Sequence, residues 1–163
     1  MAGIPIYESA VLPEWIDYNG HLRDAYYTVI LSLACDALMD RVGLDAAYRQ
    51  RTGCTLYTLE MHLHFLREVK QSDRVAVTVR ILDADHKRIH AAFELLRAGH
   101  DEPAAAAEMM LLHVAQHDGT AHSTPLPAEV RAALAALATA TAALPAAAHG
   151  SRRMGLRGTT GTP

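Results

Sequence analysis

Within Trp15-Ile16-Asp17-Tyr18-Asn19-Gly20-His21-Leu22 a carboxylate, an amide and an imidazole recur at i, i+2 and i+4, directly ahead of an apolar segment of helical composition. A carboxylate can activate water or attack a carbonyl, an amide can orient either, and an imidazole with an unperturbed pKa of about 6.5 can relay a proton. The first-turn N–H groups of a helix have no intrahelical partner and can hold a developing oxyanion. Together these are the raw material of a hydrolytic site. The plainer reading is turn chemistry, with Asp17 capping its own loop through an Asx turn and Asn19-Gly20 marking a reversal.

The elements that must position these groups are legible as periodicities. From Asp24 to Val42 apolar residues occupy nearly every side, which predicts a buried helix of about 28 Å closed by Gly43. Asp24, Asp36, Asp40 and Arg41 mark it as a non-membrane helix. A strand is expected from Ile4 to Leu12, ended by Pro13. Period-two alternation then recurs around Leu59–Phe65, Val75–Ile81, Ile89–Leu95 and Met110–Val114, separated by turn signals, and reads as a four-strand antiparallel meander. An alanine-rich helix is expected from Ala128 to Leu144, between Pro127 and Pro145.

The chain of 163 residues, half apolar and one fifth charged, suffices for one domain, placed at 1–145 with a flexible tail at 146–163. Its net charge of -3 argues against a nucleic-acid partner. Two cysteines make no disulfide framework, and MAGIPIYESAV has no charged leader before an apolar run, so a reducing, cytoplasmic setting without a signal peptide is expected.

A strand, a loop bearing reactive side chains, one long helix and four further strands resembles the order of elements in the hotdog fold of acyl-CoA thioesterases. Asp17, Asn19 and His21 are similar to the DxNxH arrangement of plant acyl-ACP thioesterases and related hotdog enzymes. Phe65–Glu68 with Asp73, and Asp85 with Lys87 and Arg88, resemble signatures of the 4-hydroxybenzoyl-CoA-thioesterase-like superfamily. WIDYNGHLRDAYY, YTLEMHLHFLREV, DADHKRIH, EMMLLHV and LPAAAHGSRRMG look like the betainyl-CoA thioesterase family of carnitine breakdown, whose domains are also fused to some L-carnitine dehydrogenases. Trp15 stands where many hotdog enzymes have a second acidic residue.

The resemblance implies an α+β hotdog fold, a long central helix wrapped by a curved antiparallel sheet of about five strands, plus the C-terminal helix. It further implies a homodimer joined sheet edge to sheet edge, with tetramers left open, and a short acyl-CoA as substrate, foremost betainyl-CoA. Another small or aromatic acyl-CoA, or a non-catalytic acyl-CoA-binding partner of a dehydrogenase, is the alternative. No cofactor is expected beyond the CoA of the substrate.

Within that frame Asp17 is the candidate base or nucleophile, His21 and Asn19 its positioning partners, and the amides of residues 24–27 the oxyanion hole. Glu60 and Glu68 are further carboxylates that either reach a site across a dimer interface or serve as strand-end charges or ion-pair partners; Glu60, on the face opposite the apolar one where a second subunit could use it, is the stronger catalytic candidate. Trp15, Tyr18, Tyr26, Tyr27 and Tyr57, five of the nine aromatic residues, could cage a quaternary ammonium, which offers no hydrogen bonds and binds aromatic faces, or could simply pack. Arg67, Lys87 and Arg88 are candidates for the CoA phosphates, against a role in blocking strand edges. The pairs His62/His64 and His113/His117 lack a third ligand of fitting spacing, so no metal is expected.

Overall fold

The computed structural model describes residues 3–117, 119–145 and 149–150. Its elements in order are β1 (Ile4–Ala10), a 3-10 turn (Pro13–Trp15), α1 (Asp24–Val42), α2 (Ala46–Thr52), β2 (Cys54–Phe65), β3 (Arg74–Ala84), β4 (Arg88–Arg97), β5 (Pro103–His117), β6 (Thr120–Ser123) and α3 (Ala128–Thr141). Every strand pair is antiparallel, and the sheet runs β1-β3-β4-β5-β2. The β4 ladder begins with Arg88 opposite Leu112, and β6 pairs with β5 from Val114 onward, so β6 occupies the place beside β5 that β4 leaves empty.

The long helix forms where its residues demand burial. Ile30, Leu31, Ala34 and Leu38 are inaccessible and share one cluster with Val77, Ile89, Phe93, Leu95 and Leu111 of the sheet. Gly43 ends α1 at φ 90°, a left-handed conformation that favours glycine. α3, alanine-rich as expected, nonetheless buries a stripe of Val130, Leu134 and Leu137.

Several expectations are corrected. The expected sheet of about five strands is present with six, the short β6 included, but of the four strands expected in a meander only β3, β4 and β5 are consecutive neighbours. β2 pairs with β5, from Cys54 opposite Ala115 to Phe65 opposite Ala105, because alternation fixes which face a strand buries but not its neighbour. β5 starts at Pro103, since Ala104–Ala107, at most 4% exposed, serve as small residues in a tightly packed sheet although their propensity is helical. Between α1 and β2, where no element is expected, α2 forms: its Asp45 carboxylate accepts the Tyr48 N–H at 2.8 Å and its Gly53 sits at φ 66°, a cap and stop visible in the sequence. β1 ends at Ala10 and α3 at Thr141, short of Leu12 and Leu144. The expected tail lies outside the described residues, save His149 and Gly150.

Burial pushes the Cys35 thiol up to about 12, whereas Cys54 is only half-buried. A thiol-specific disulfide reagent is expected to titrate one cysteine in the native protein and two after unfolding; two rapid equivalents in the native state would contradict the packing of α1.

Candidate functional site

The segment preceding α1 is folded by its own backbone. The Asp17 N–H donates to the His21 carbonyl at 2.8 Å and the Gly20 N–H to the Asp17 carbonyl at 3.1 Å, with Gly20 at φ 80°. Asp17 Oδ1 accepts from the amides of Asn19 at 2.8 Å and His21 at 3.2 Å. The Asx turn is therefore present, and it uses one carboxylate oxygen. The His21 and Asn19 amides, His21 foremost, hold the Asp17 carboxyl below its ordinary value of 3.8.

This folded loop is fastened to the connection between β2 and β3. Leu22 N–H donates to the Val69 carbonyl at 2.7 Å, His21 and Lys70 form an antiparallel bridge, and Arg23 N–H closes back on the Trp15 carbonyl at 3.0 Å. Docking brings His21 Nε2 to 3.0 Å from Glu68 Oε2. The Tyr27 hydroxyl donates to the Arg67 carbonyl at 3.3 Å, and its ring meets Phe65 edge-on at 5.2 Å between centroids. Burial pushes the Tyr27 hydroxyl pKa up, so it remains a neutral donor. The result is an open cleft of about 330 Å³ at the amino end of α1, lined by His21, Leu22, Asp24, Tyr27 and residues 65–68.

Of the residues singled out from sequence, His21, Tyr27 and Arg67 line the cleft, and Asp17 reaches it through the two hydrogen bonds it shares with His21. Arg67 is turned outward, its guanidinium 2.5 Å from Glu102 and 3.1 Å from the Pro103 carbonyl. Trp15 is buried and stacked on Tyr26 at 5.6 Å, so these two rings pack against each other under the loop. Asn19 lies on the exposed tip, beside a Tyr18 that is 94% exposed. Glu60 pairs with His62 at 2.6 Å, and Tyr57 accepts a hydrogen bond from Gln116; both lie on β2 away from the cleft. Lys87, bonded to Ser123 at 3.3 Å, and Arg88, paired with Asp85 at 2.7 Å, sit at the β3–β4 turn. That turn is at the opposite end of β3 from the loop, an eleven-residue strand away.

Sequence reasoning did not single out the Asp24 and Phe65 side chains as site residues, and it weighed Glu68 between a site across a dimer interface and an ion-pair role. Its signal was available: the run Phe65–Glu68 leaves β2 at the level where the Asp17 loop docks. At the helix end, the Ala25 N–H is bonded to Asp24 Oδ1 at 2.8 Å and the Tyr26 N–H to the Arg23 carbonyl at 2.9 Å, so two of the four opening amides are engaged within the turn. His113 is buried between the Tyr48 hydroxyl and the Thr124 carbonyl, each 3.0 Å away, and serves the core; the His117 side chain lies outside the described residues. Among the described residues no three His, Cys, Asp or Glu side chains are grouped to hold a metal ion, and no helix is long and apolar enough to cross a membrane.

A long helix cradled by a curved antiparallel sheet, with a carboxylate loop and an open cleft at its amino end, is the architecture of hotdog acyl-CoA thioester hydrolases. The chain belongs to the thioesterase-like superfamily, which matches residues 11–134. It is 49% identical to the betainyl-CoA thioesterase of Pseudomonas aeruginosa over 92% of this chain and 93% of that protein. It is also 36% identical, over 91% of its length, to the L-carnitine dehydrogenase/betainyl-CoA thioesterase of Rhizobium meliloti, of which it covers 29%. A Pseudomonas putida protein provisionally described as a thioesterase superposes with TM-score 0.84 at 41% identity, covering 97% of this chain and 99% of that one. A Staphylococcus aureus protein solved with CoA superposes with TM-score 0.79 at 25% identity, covering 96% and 98%.

The Asp17 carboxyl titrates lower in the folded chain than in the unfolded one, so its contribution to stability is complete above 3.8 and is lost as pH falls through the folded value. The difference in denaturation midpoint between the wild type and Asp17→Asn is accordingly expected to be flat from pH 5 to 8, as an approximate window, and to narrow below pH 3.8. A difference that changes through neutrality would assign the linkage to another group.

Proposed function

We propose that this protein hydrolyses betainyl-CoA to glycine betaine and CoA in the cleft at the amino end of α1. The observation that carries the substrate is the 49% identity, over nearly all of both chains, to a betainyl-CoA thioesterase. The cleft offers chemistry that suits this acyl group. A trimethylammonium donates no hydrogen bond and is stabilised by aromatic faces and nearby negative charge. Tyr27 and Phe65 supply the rings, and Asp24 and Glu68 the carboxylates, in a cleft whose arginine is turned toward Glu102.

In this reading Asp17 activates the nucleophile through Oδ2, while the two amides on Oδ1 fix its orientation and keep it ionised. His21, held by Glu68, moves the proton, and the helix-end amides not engaged within the turn stabilise the tetrahedral oxyanion. Asn19 shapes the turn, and no cofactor beyond substrate CoA takes part. The setting proposed is cytoplasmic.

The working unit proposed is a homodimer. Among the described residues β2 ends the sheet with one edge unpaired, and it exposes Leu59 and Phe65, each at 55%, and Tyr57 at 38%. An apolar free edge is a template for a second copy. Antiparallel pairing of two β2 edges places the Tyr57 end of one copy beside the Phe65 end of the other. It also sets the second copy's Lys87 and Arg88, two strands or about 10 Å inward, at the cleft's end of the assembly, where CoA phosphates need cations.

Thiol release from a panel of acyl-CoAs is expected to be fastest with betainyl-CoA. Asp17→Asn is expected to lower turnover at least about a hundredfold with the fold retained, because Asn keeps the Oδ1 acceptor. Near-normal turnover in that variant would remove Asp17 from the chemistry, and a panel preference for a neutral acyl group would replace the substrate. Leu59→Lys is expected to shift sedimentation from dimer to monomer and to abolish activity; an unchanged sedimentation coefficient would place the interface elsewhere.

A further inference from the structure

The segment that leaves β2 is bolted to the start of β5 by its backbone. The N–H groups of Leu66 and Arg67 both donate to the Ala104 carbonyl, at 2.9 and 3.0 Å, and the Arg67 carbonyl accepts from the Tyr27 hydroxyl at 3.3 Å. Main-chain position here is fixed without help from the Arg67 side chain. The guanidinium is held by two groups outside the cleft: Nη1 donates to the Pro103 carbonyl at 3.1 Å, and Nη2 lies 2.5 Å from Glu102 Oε2. Glu102 immediately precedes β5 and is not among the residues that line the cleft.

Both partners of that ion pair are accessible, their side chains 39% and 71% exposed, and pairs of this kind add little to stability. What the pair decides is orientation. Arg67 is the only lysine or arginine among the described residues that line the cleft, where Asp24 and the His21-paired Glu68 supply carboxylates and Tyr27 and Phe65 the rings. Drawn toward Glu102, the guanidinium leaves the cleft with an excess of negative charge, which suits an acyl group carrying a positive charge. Turned inward, it would oppose such a group and offer a planar pair of donors to a carboxylate.

We propose that Glu102 is a specificity-determining residue that acts through Arg67: by keeping the guanidinium out of the cleft, it admits a cationic acyl group and disfavours one that ends in a carboxylate. The inference rests on the acyl group occupying this cleft, as proposed above. Glu102 is a positioning residue that meets neither the cleft nor the Asp17 loop. Replacing it leaves the backbone bonds of residues 66 and 67 in place, so its effect falls on charge rather than on shape.

Three acyl-CoAs of similar length test this on the full chain: betainyl-CoA, its neutral isostere tert-butylacetyl-CoA, and malonyl-CoA, compared by kcat/KM, or by Ki where turnover is too slow to follow. In Glu102→Gln the preference for betainyl-CoA over malonyl-CoA is expected to fall about fivefold. The loss for betainyl-CoA is expected in KM, with kcat held within about twofold, because the His21–Glu68 contact is not disturbed. In an Arg67→Gln background, Glu102→Gln is expected to leave the preference where it stands. An unchanged preference in Glu102→Gln alone, or a shift that persists without Arg67, would overturn the role of Glu102. A wild type that favours tert-butylacetyl-CoA over betainyl-CoA would remove the betainyl assignment alone, since the ratio of malonyl-CoA to tert-butylacetyl-CoA still reports whether Glu102 controls the arginine.

Discussion

The structure turns on one backbone attachment: the bond from Leu22 N–H to the Val69 carbonyl, reinforced by the His21–Lys70 bridge. Before it forms, the Asp17 turn is an isolated loop whose internal bonds fix its shape but not its location. Once docked, the loop sets the point at which α1 enters the core and brings His21 to Glu68, two residues whose sequence separation gives no hint of contact. The backbone donor and acceptor are satisfied on both sides, as burial of Leu22 and Val69 requires. Geometry at the cleft is thus inherited from main-chain bonds, which side-chain substitutions disturb least.

Two roles that appeared to compete for Asp17 turn out to be compatible. Its Oδ1 serves as an Asx acceptor, and the same amides that shape the turn lower its pKa and leave the other oxygen outside the turn. The bonds that fix the turn therefore also fix the orientation of that second oxygen. Asp24 shows the opposite economy. Its carboxylate takes the Ala25 amide at the positive end of α1, which suits the helix and places negative charge in the lining of the cleft.

What could be read from sequence divides along local and non-local physics. The buried helix, its Gly43 stop and the period-two strands follow from patterns spanning a few residues, and they stand as expected. The place of β2 beside β5, the strand role of Ala104–Ala107 and the pairing of Glu68 with His21 depend on contacts between distant segments, which no local period encodes. Tyr57, Lys87 and Arg88 are drawn into the expected site, and Glu60 into that of a neighbouring subunit, because their types fit the chemistry. Register disperses them, since Tyr57 and Arg88 both face Leu112, far along the ladder from the row that holds Phe65. α2 differs in kind: its Asp45 cap and Gly53 stop were local and legible, and the polar composition between them masked both.

The same registers separate two surfaces of the sheet, its β2 edge and its outer face. A sheet curved round one helix buries a single face well, and here the outer face sets alanine and threonine among glutamate, histidine and arginine side chains. Those small residues allow close approach of a backbone, which fits Gly150 resting against Glu108. The β2 edge instead carries Leu59 and Phe65, too large and apolar for a strand left in water. Residue size therefore distinguishes the small-residue rows of the outer face from the apolar β2 edge, and the cleft at Tyr27 and Phe65 lies at the margin of the latter.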